Sequence, residues 1–138
     1  MPYTVNWYIE NEVIYVHYSG AATTEMMRDS MATMQAMIEN SPRHMVHTIT
    51  DVGDITKPMN PKDALENARD MAPNARTGWT IVLREKSVVV KVGVMVGASV
   101  FKTRVKSCST TADAIACLKE IDPELSWDRA DPSIFATQ

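Results

Sequence analysis

The side chains of this chain that could bind a metal ion or act as nucleophiles are few and scattered. His17, His44 and His47 could supply imidazole ligands, and His17 and His47 would face each other if their strands were neighbours. A zinc site needs at least three protein ligands, and no Asp or Glu stands at a spacing that completes the set. Cys108 and Cys117 are nine residues apart, which fits neither a zinc knuckle nor a redox Cys-x-x-Cys pair. We therefore expect no metal, partly exposed strand histidines and two reduced, packed cysteines.

Catalysis of the nucleophilic kind also lacks a signature. Neither cysteine has a histidine that the sequence places beside it, and no serine lies in the sharp turn that exposes the nucleophile of a hydrolase. The sequence therefore predicts a protein that is not an enzyme and that needs no cofactor.

A polar segment after the third predicted strand is the best candidate for a ligand site. Its members are Asp51, Asp54, Thr56, Lys57 and Asn60. They follow the carboxyl end of a central strand and precede a helix N-terminus, where open α/β sheets bind ligands and where backbone N–H groups can hold an anion. Acidic caps and turn formers on a solvated loop explain the same residues without a ligand. Both interpretations stay open, and the five residues are candidates for a ligand or anion loop.

The elements that would position these residues begin with a hairpin. Residues 3–9 and 13–19 are rich in Tyr, Val, Ile and Trp, and the polar segment 10–12 fits a turn between two antiparallel strands. Gly20 is predicted to close the second strand. A helix follows, capped by Thr23 or Thr24 and ending near Asn40. Its apolar arc consists of Met26, Met27, Met31, Met34, Met37 and Ile38.

Strands and crossover helices then alternate. An apolar strand over 44–50 is predicted to end at 51–54, and a helix follows over about 61–71 with Pro61 at its first position. Further strands are predicted at 78–83 and 104–108. Thr110 caps a last helix that stops at Asp122-Pro123. Beyond it, the tail either docks on the core or frays, and its apolar side chains are those of Leu125, Trp127, Ile134 and Phe135.

The segment 87–101 is ambiguous. Valines alternate with other residues in the period of two that is typical of a strand, yet the same segment read as a helix has one wide apolar face. The valines of this segment make a helix less favourable because branched side chains lose rotamer freedom there. A strand, a helix and a strand would continue the right-handed crossover pattern.

Composition bounds the remaining possibilities. The chain has 138 residues, 45% of them hydrophobic, and a net charge of −3, which is typical of a single globular domain. Lys and Arg are not clustered, so nucleic acid is not expected as a partner. The N-terminus resembles no signal peptide and no segment is long and apolar enough to span a membrane, so we expect a cytoplasmic protein.

The order of elements and several short segments resemble the SpoIIAA-like branch of the STAS superfamily. The segments are Trp7-Tyr8, residues 14–20, residues 47–51, Gly78-Trp79 and residues 122–125. The resemblance implies one α/β domain over 1–138, with a core of about 3–125 and a tail of 126–138. It implies a mixed, mostly parallel five-stranded sheet with an N-terminal antiparallel hairpin and four helices in the order ββαβαβαβα. It also implies that 87–101 is a helix, and we therefore predict a helix there.

The STAS antagonists of anti-sigma factors carry a phosphorylated serine at the N-terminus of the second helix, in an Asp-Ser-Ser-Gly or Asp-Ser-Thr-Gly turn. This sequence has Asp54-Ile55-Thr56-Lys57-Pro58 and then Asn60-Pro61, with no serine from 51 to 71. Thr56 is the one hydroxyl in the loop. Most loop threonines satisfy backbone groups, so the sequence does not favour a phosphorylation switch, and Thr56 stays its one candidate residue.

The predicted function is a non-catalytic regulatory module that binds another protein. Helix 87–101 would have a second apolar strip of Val90, Val94, Ala98 and Phe101, and exposed strips of this kind mark interfaces, so a homodimer through this helix is expected. The alternative is a carrier of a small apolar ligand or lipid, because SpoIIAA-like proteins are also similar in layout to Sec14-type domains. Its pocket would lie under helix 87–101, lined by the valines and Met95.

Overall fold

The described residues form a five-stranded sheet whose strands lie side by side in the order in which they occur in the sequence. The computed structural model describes residues 3–69, 75–85 and 104–137. The strands are β1 (Tyr3–Ile9), β2 (Val13–Ala21), β3 (Val46–Lys57), β4 (Thr77–Leu83) and β5 (Arg104–Cys108). β1 pairs antiparallel with β2, and the other three pairings are parallel. The predicted mixed sheet with an N-terminal hairpin is confirmed.

In the part of the chain that the structure describes, three α-helices connect or follow these strands: α1 (Thr24–Asn40), α2 (Pro61–Arg69) and α3 (Thr111–Ile121). The hydroxyl of Thr23 accepts a hydrogen bond from Met26 N, and the hydroxyl of Thr110 accepts one from Asp113 N, so both predicted caps form. Two short 3₁₀ segments, Trp127–Arg129 and Pro132–Thr137, end the chain. The helix predicted at 87–101, with Val90, Val94, Ala98 and Phe101, lies outside the described residues.

The hairpin turn explains why β1 and β2 meet in register. Asn11 has a φ of 67°, a left-handed conformation that Asn adopts more readily than most residues. Glu12 N donates to Ile9 O at 2.9 Å. The Glu12 carboxylate is buried and accepts a hydrogen bond from Ser126 N at 2.7 Å. A polar turn residue therefore also anchors the C-terminal tail.

The third strand is longer than the sequence predicts. It does not begin at 44 and end at 51–54, but runs from Val46 to Lys57, because β2 also continues past Gly20 and supplies a partner. Ser19, Gly20 and Ala21 pair with Asp54, Ile55 and Lys57. Gly20 has a φ of 75°, so it permits an irregular ladder there and does not end the strand.

Each face of the sheet is covered by a different part of the chain. α1 packs on the face that carries Val16 and Val52, with Met26 and Ile38 buried and other methionines of the predicted arc around them. α2 lies beside α1, where Arg28 Nε donates to Asn67 Oδ1 at 3.1 Å. α3 and the tail cover the opposite face over Tyr15, Ile49 and Ile81. None of the described helices has the length and apolar composition needed to cross a membrane.

The C-terminal tail docks, which settles the two alternatives left by the sequence. The Phe135 ring lies 4.8 Å from the Tyr8 ring and 5.0 Å from the Tyr15 ring, measured between centroids. Trp127 meets Tyr8 edge-on at 6.1 Å, and Asp131 N donates to Tyr8 O at 2.8 Å. The tail therefore completes the core on the α3 side.

Replacing Phe135 with Ala should lower the free energy of unfolding by about 1–3 kcal/mol, less than the loss at a fully buried Phe because the ring is partly exposed. Chemical denaturation measures the change. Phe135→Leu keeps most of the apolar volume and is the matched control, so its loss should be smaller. Equal stability of Phe135→Ala and the wild type would show that the tail does not contribute to the core.

Candidate functional site

A cluster of charged and polar side chains lies at the carboxyl ends of β2, β3 and β4. Its members are Tyr15 and His17 on β2, Asp51 and Asp54 on β3, and Arg84 directly after β4. The parallel register places Asp51 beside His17 on one side and beside Leu83 on the other. Residues that are distant in the sequence therefore converge because parallel strands end at the same edge of the sheet.

Asp51 is the centre of this cluster. Its side chain has no solvent exposure. One carboxylate oxygen accepts hydrogen bonds from Gly53 N and Arg84 Nε, both at 3.0 Å. The other accepts from the Tyr15 hydroxyl at 3.1 Å and from Arg84 Nη2 at 3.0 Å. A buried carboxylate is stable only when its lone pairs are satisfied in this way.

The backbone around Arg84 is shaped to make this contact. Arg84 has a φ of 57°, which is unfavourable for a residue with a long side chain, and its N–H donates to Cys108 O at 3.2 Å. Gly53 packs against it without a side chain. A Cβ at this position would lie 2.6 Å from Arg84 Cζ and 2.7 Å from Arg84 Cβ. Gly53 is therefore needed for the guanidinium to reach Asp51.

Asp54 and His17 form the solvent-facing part of the cluster. Asp54 Oδ2 lies 2.7 Å from His17 Nε2 and 3.0 Å from Arg84 Nη2, and the Asp54 side chain is 39% exposed. Hydrogen bonds from His17 and then from Arg84 lower the pKa of Asp54. Hydrogen bonding to Asp51 raises the pKa of Arg84. Both groups are therefore charged at neutral pH.

The predicted ligand loop divides into buried and exposed parts. Asp51, Asp54, Thr56 and Lys57 lie on β3 and not in a loop, which corrects the sequence interpretation. The cluster brings Asp51 and Asp54 together, whereas Thr56 and Lys57 are exposed at the end of the strand. Asn60 Oδ1 accepts a hydrogen bond from Asp63 N at 2.8 Å, so Asn60 caps α2.

Tyr15, His17 and Arg84 were not predicted as members of this group. The signal for Arg84 was its position, because it follows a predicted strand and must therefore lie at the same edge of the sheet as Asp51. No comparable signal identifies Tyr15, whose hydroxyl points along the core to Asp51.

A second polar cluster joins the start of β3 to the end of α3. His47 Nε2 lies 2.9 Å from Asp122 Oδ2, and Arg43 Nη2 donates to the same oxygen at 2.8 Å. Trp79 N donates to His47 Nδ1 at 3.0 Å. Because Nδ1 accepts, Nε2 must carry the proton of a neutral imidazole and donate to Asp122.

The histidines are therefore not arranged as the sequence suggested. His47 is completely buried and not partly exposed. It also does not face His17, because the register places Val13 beside His47 and Asp51 beside His17. Within the described ranges, no three His, Cys, Asp or Glu side chains are grouped as metal ligands would be.

Burial and hydrogen bonding shift the pKa values of this second cluster. Burial lowers the pKa of His47, and the hydrogen bond to Asp122 only partly offsets it. Burial acts to raise the pKa of Asp122, but the hydrogen bonds from His47 and Arg43 prevail and lower it. Gly78 allows the close contact, since a Cβ there would lie 2.5 Å from His47 Nδ1.

The two cysteines pack between β5 and α3. Both are free thiols, and Cys117 is buried. Burial raises the pKa of Cys108, which makes its thiol a weaker nucleophile at neutral pH. These observations agree with the prediction of packed cysteines.

Comparison with known proteins identifies the fold. No protein-family model matches the sequence. No curated protein matches it either. Among solved structures, the anti-sigma factor antagonist SpoIIAA in its unphosphorylated form matches with a TM-score of 0.53 and 15% sequence identity, over 86% of this chain and 96% of that chain. The chain therefore has the STAS fold of SpoIIAA, as its sequence predicted.

Replacing Asp51 with Asn should lower the free energy of unfolding by about 2–4 kcal/mol, because it leaves the Arg84 guanidinium without its buried counter-charge. The matched variant Asp54→Asn removes a carboxylate that is partly exposed, and its cost should stay below about 1 kcal/mol. Urea denaturation at neutral pH compares them. Equal losses would contradict the central role of Asp51.

The unfolding free energy should also fall as the pH is lowered from 6.5, the ordinary pKa of His, towards the lowered pKa of His47. Over this interval His47 takes up a proton in the unfolded chain but stays neutral in the folded protein, which favours unfolding. Above 6.5 this contribution is fully present. The pKa values of Asp54 and Asp122 are lowered from 3.8, so protonation of these two carboxylates lowers the stability only in more acidic solution.

Urea denaturation between pH 5 and 8 tests this dependence. His47→Gln should flatten the pH profile relative to the wild type, whereas His44→Gln, at an exposed position, should leave the profile unchanged. A wild-type slope that survives in His47→Gln would assign it to another group.

Proposed function

We propose that this protein is a non-catalytic regulatory module that acts by binding another protein. The observation that carries the proposal is the projecting end of β3. Pairing with β4 stops at Asp51, whereas β3 continues to Lys57 and pairs there with β2 alone. The two strands thus form a ribbon, Ser19–Ala21 with residues 54–57, that extends beyond the rest of the sheet.

The charges of the site favour binding over catalysis. The carboxylate of Asp51 accepts hydrogen bonds from Tyr15, Gly53 and Arg84, so it is committed to holding the strands together. Asp54 has a lowered pKa and is paired with His17 and Arg84, which makes it a weak base at neutral pH. The cluster is therefore suited to fixing the shape of a surface.

The ribbon offers that surface to a partner. Thr56 and Lys57 are exposed, Asp54 is partly exposed, and Asn60, three residues after Lys57, is the exposed N-cap of α2. These four residues combine one cation, one anion and two hydrogen-bonding groups on a rigid base. SpoIIAA, which has the same fold, is described as an antagonist of an anti-sigma factor, and this supports a protein as the partner.

The proposal does not extend to the phosphorylation switch of the antagonists. The N-cap of α2 is Asn60, and Thr56 lies on β3, four residues before that cap. The carrier of an apolar ligand is not favoured by any feature of the described residues. The predicted lining of its pocket belongs to 86–103, which lie outside them, and so does the predicted dimer helix.

A photoreactive amino acid placed at Thr56 in living cells should form a covalent adduct with one recurrent protein. Ala116, which is exposed on α3, is the control position and should not yield this adduct. The captured protein, purified, should then bind the wild type, and Lys57→Glu should weaken the affinity at least tenfold. Lys106→Glu makes the same charge change on exposed β5 and should leave the affinity unchanged.

Calorimetry or fluorescence anisotropy measures these affinities. Adducts of equal yield from Thr56 and Ala116, or equal affinities of the two charge variants, would contradict binding through the ribbon.

A further inference from the structure

The two edges of the sheet are protected against strand pairing to different degrees. The five residues of β5 include Arg104 and Lys106, both exposed, and charges of this kind discourage pairing with another strand. The seven residues of β1, Tyr-Thr-Val-Asn-Trp-Tyr-Ile, include no charge and are mostly aromatic or branched. β1 therefore has the composition of a strand that is paired on both sides.

The backbone of β1 also presents groups at this edge. Glu12 O accepts from His47 N, so by alternation Ile14 turns its backbone groups towards β3 and Tyr15 turns them towards β1. Asn6 pairs with Tyr15, so the backbone N–H and C=O groups of Asn6 point towards β2. Its neighbours Val5 and Trp7, and Tyr3 by the same alternation, therefore point their N–H and C=O groups away from the sheet.

The tail limits how much of this edge can be used. It reaches β1 at Tyr8, whose C=O accepts from Asp131 N at 2.8 Å. A groove lies between the preceding residues of β1 and the tail, and it is lined by Thr4, Asn6 and Trp7 on one side and by Asp131, Ser133 and Ile134 on the other. Within the described chain, the stretch open to a new strand is therefore 3–7, and Val5 is its centre.

We propose that residues 3–7 pair antiparallel with the same strand of a second copy of this chain, about a two-fold axis at Val5. Full overlap of the open stretch fixes this register. Val5 lies opposite the partner's Val5, Tyr3 opposite the partner's Trp7, and Thr4 opposite the partner's Asn6. Each subunit thus contributes the same segment, as a two-fold interface requires.

The side chains complement one another in this register. Tyr3, Val5 and Trp7 are partly buried beside the core on the α1 side of the sheet, so pairing extends an apolar surface that already exists. Cross-strand pairs of aromatic and branched residues stabilise a sheet. On the other side, the Thr4 hydroxyl meets the amide of the partner's Asn6. A peptide of unrelated sequence could form the backbone hydrogen bonds but would lack these matching side chains.

The interface is short, and it falls in the class that buries less than roughly 1,200 Å², so the dimer should dissociate on dilution. It is independent of the proposed binding of another protein at the β2–β3 ribbon. It also differs from the dimer predicted through 87–101, and the two can be separated by substitution.

Sedimentation equilibrium of the full chain over a wide concentration range measures the dimer. We expect Asn6→Lys, a charge on an exposed edge position, to raise the dimer dissociation constant at least tenfold. Ala36→Lys, on the exposed side of α1, should leave it unchanged. Circular dichroism checks that both variants fold.

Cysteine pairing tests the register even if Asn6→Lys fails to fold. The double variant Thr4→Cys/Asn6→Cys should form an interchain disulfide under mild oxidation, and Ala36→Cys should not. A monomer at every concentration would overturn the proposal. So would a dimer that resists Asn6→Lys, a dimer that Val94→Asp dissociates and Asn6→Lys does not, or an absence of the interchain disulfide.

Discussion

The ion pair between Asp51 and Arg84 is the interaction on which the carboxyl end of the sheet depends. A carboxylate with no exposure is tolerated only because Tyr15, Gly53 and Arg84 satisfy both of its oxygens. The same guanidinium reaches Asp54, and the backbone of Arg84 bonds to Cys108 on β5. Asp51 and Arg84, with the groups to which they are hydrogen-bonded, therefore link four of the five strands, and Gly53 leaves the space that the Arg84 side chain needs to reach Asp51.

A second charged group holds the other end. Asp122, at the C-cap of α3, receives hydrogen bonds from His47 on β3 and from Arg43 before it. Between the two groups, mainly apolar side chains cover both faces of the sheet, with α1 packed on one face and α3 and the tail on the other. Polar contacts therefore hold both ends of the sheet and apolar packing fills the space between them, and the β2–β3 ribbon projects beyond the end that Asp51 and Arg84 hold.

The sequence predicted elements better than contacts. Thr23 and Thr110 identified two helix starts because a cap is a local signal. The end of β3 was missed because Asp51 and Asp54 look like turn residues until β2 is seen to continue beside them. The burial of His47 could not be predicted, since both of its partners, Trp79 and Asp122, are set by the tertiary fold. The composition of 87–101 alone did not decide between strand and helix.

The two proposed surfaces are compatible because they use different parts of one sheet. In an antiparallel pairing of β1 with its copy, the two-fold axis is perpendicular to the sheet, and two five-stranded sheets become one of ten strands. β3 of one subunit then runs opposite to β3 of the other. The projecting carboxyl ends of the two β3 strands, with Thr56 and Lys57, therefore point in opposite directions along the strands of the joined sheet. Such a dimer presents two separate ribbons, so a partner bound at one does not obstruct the other.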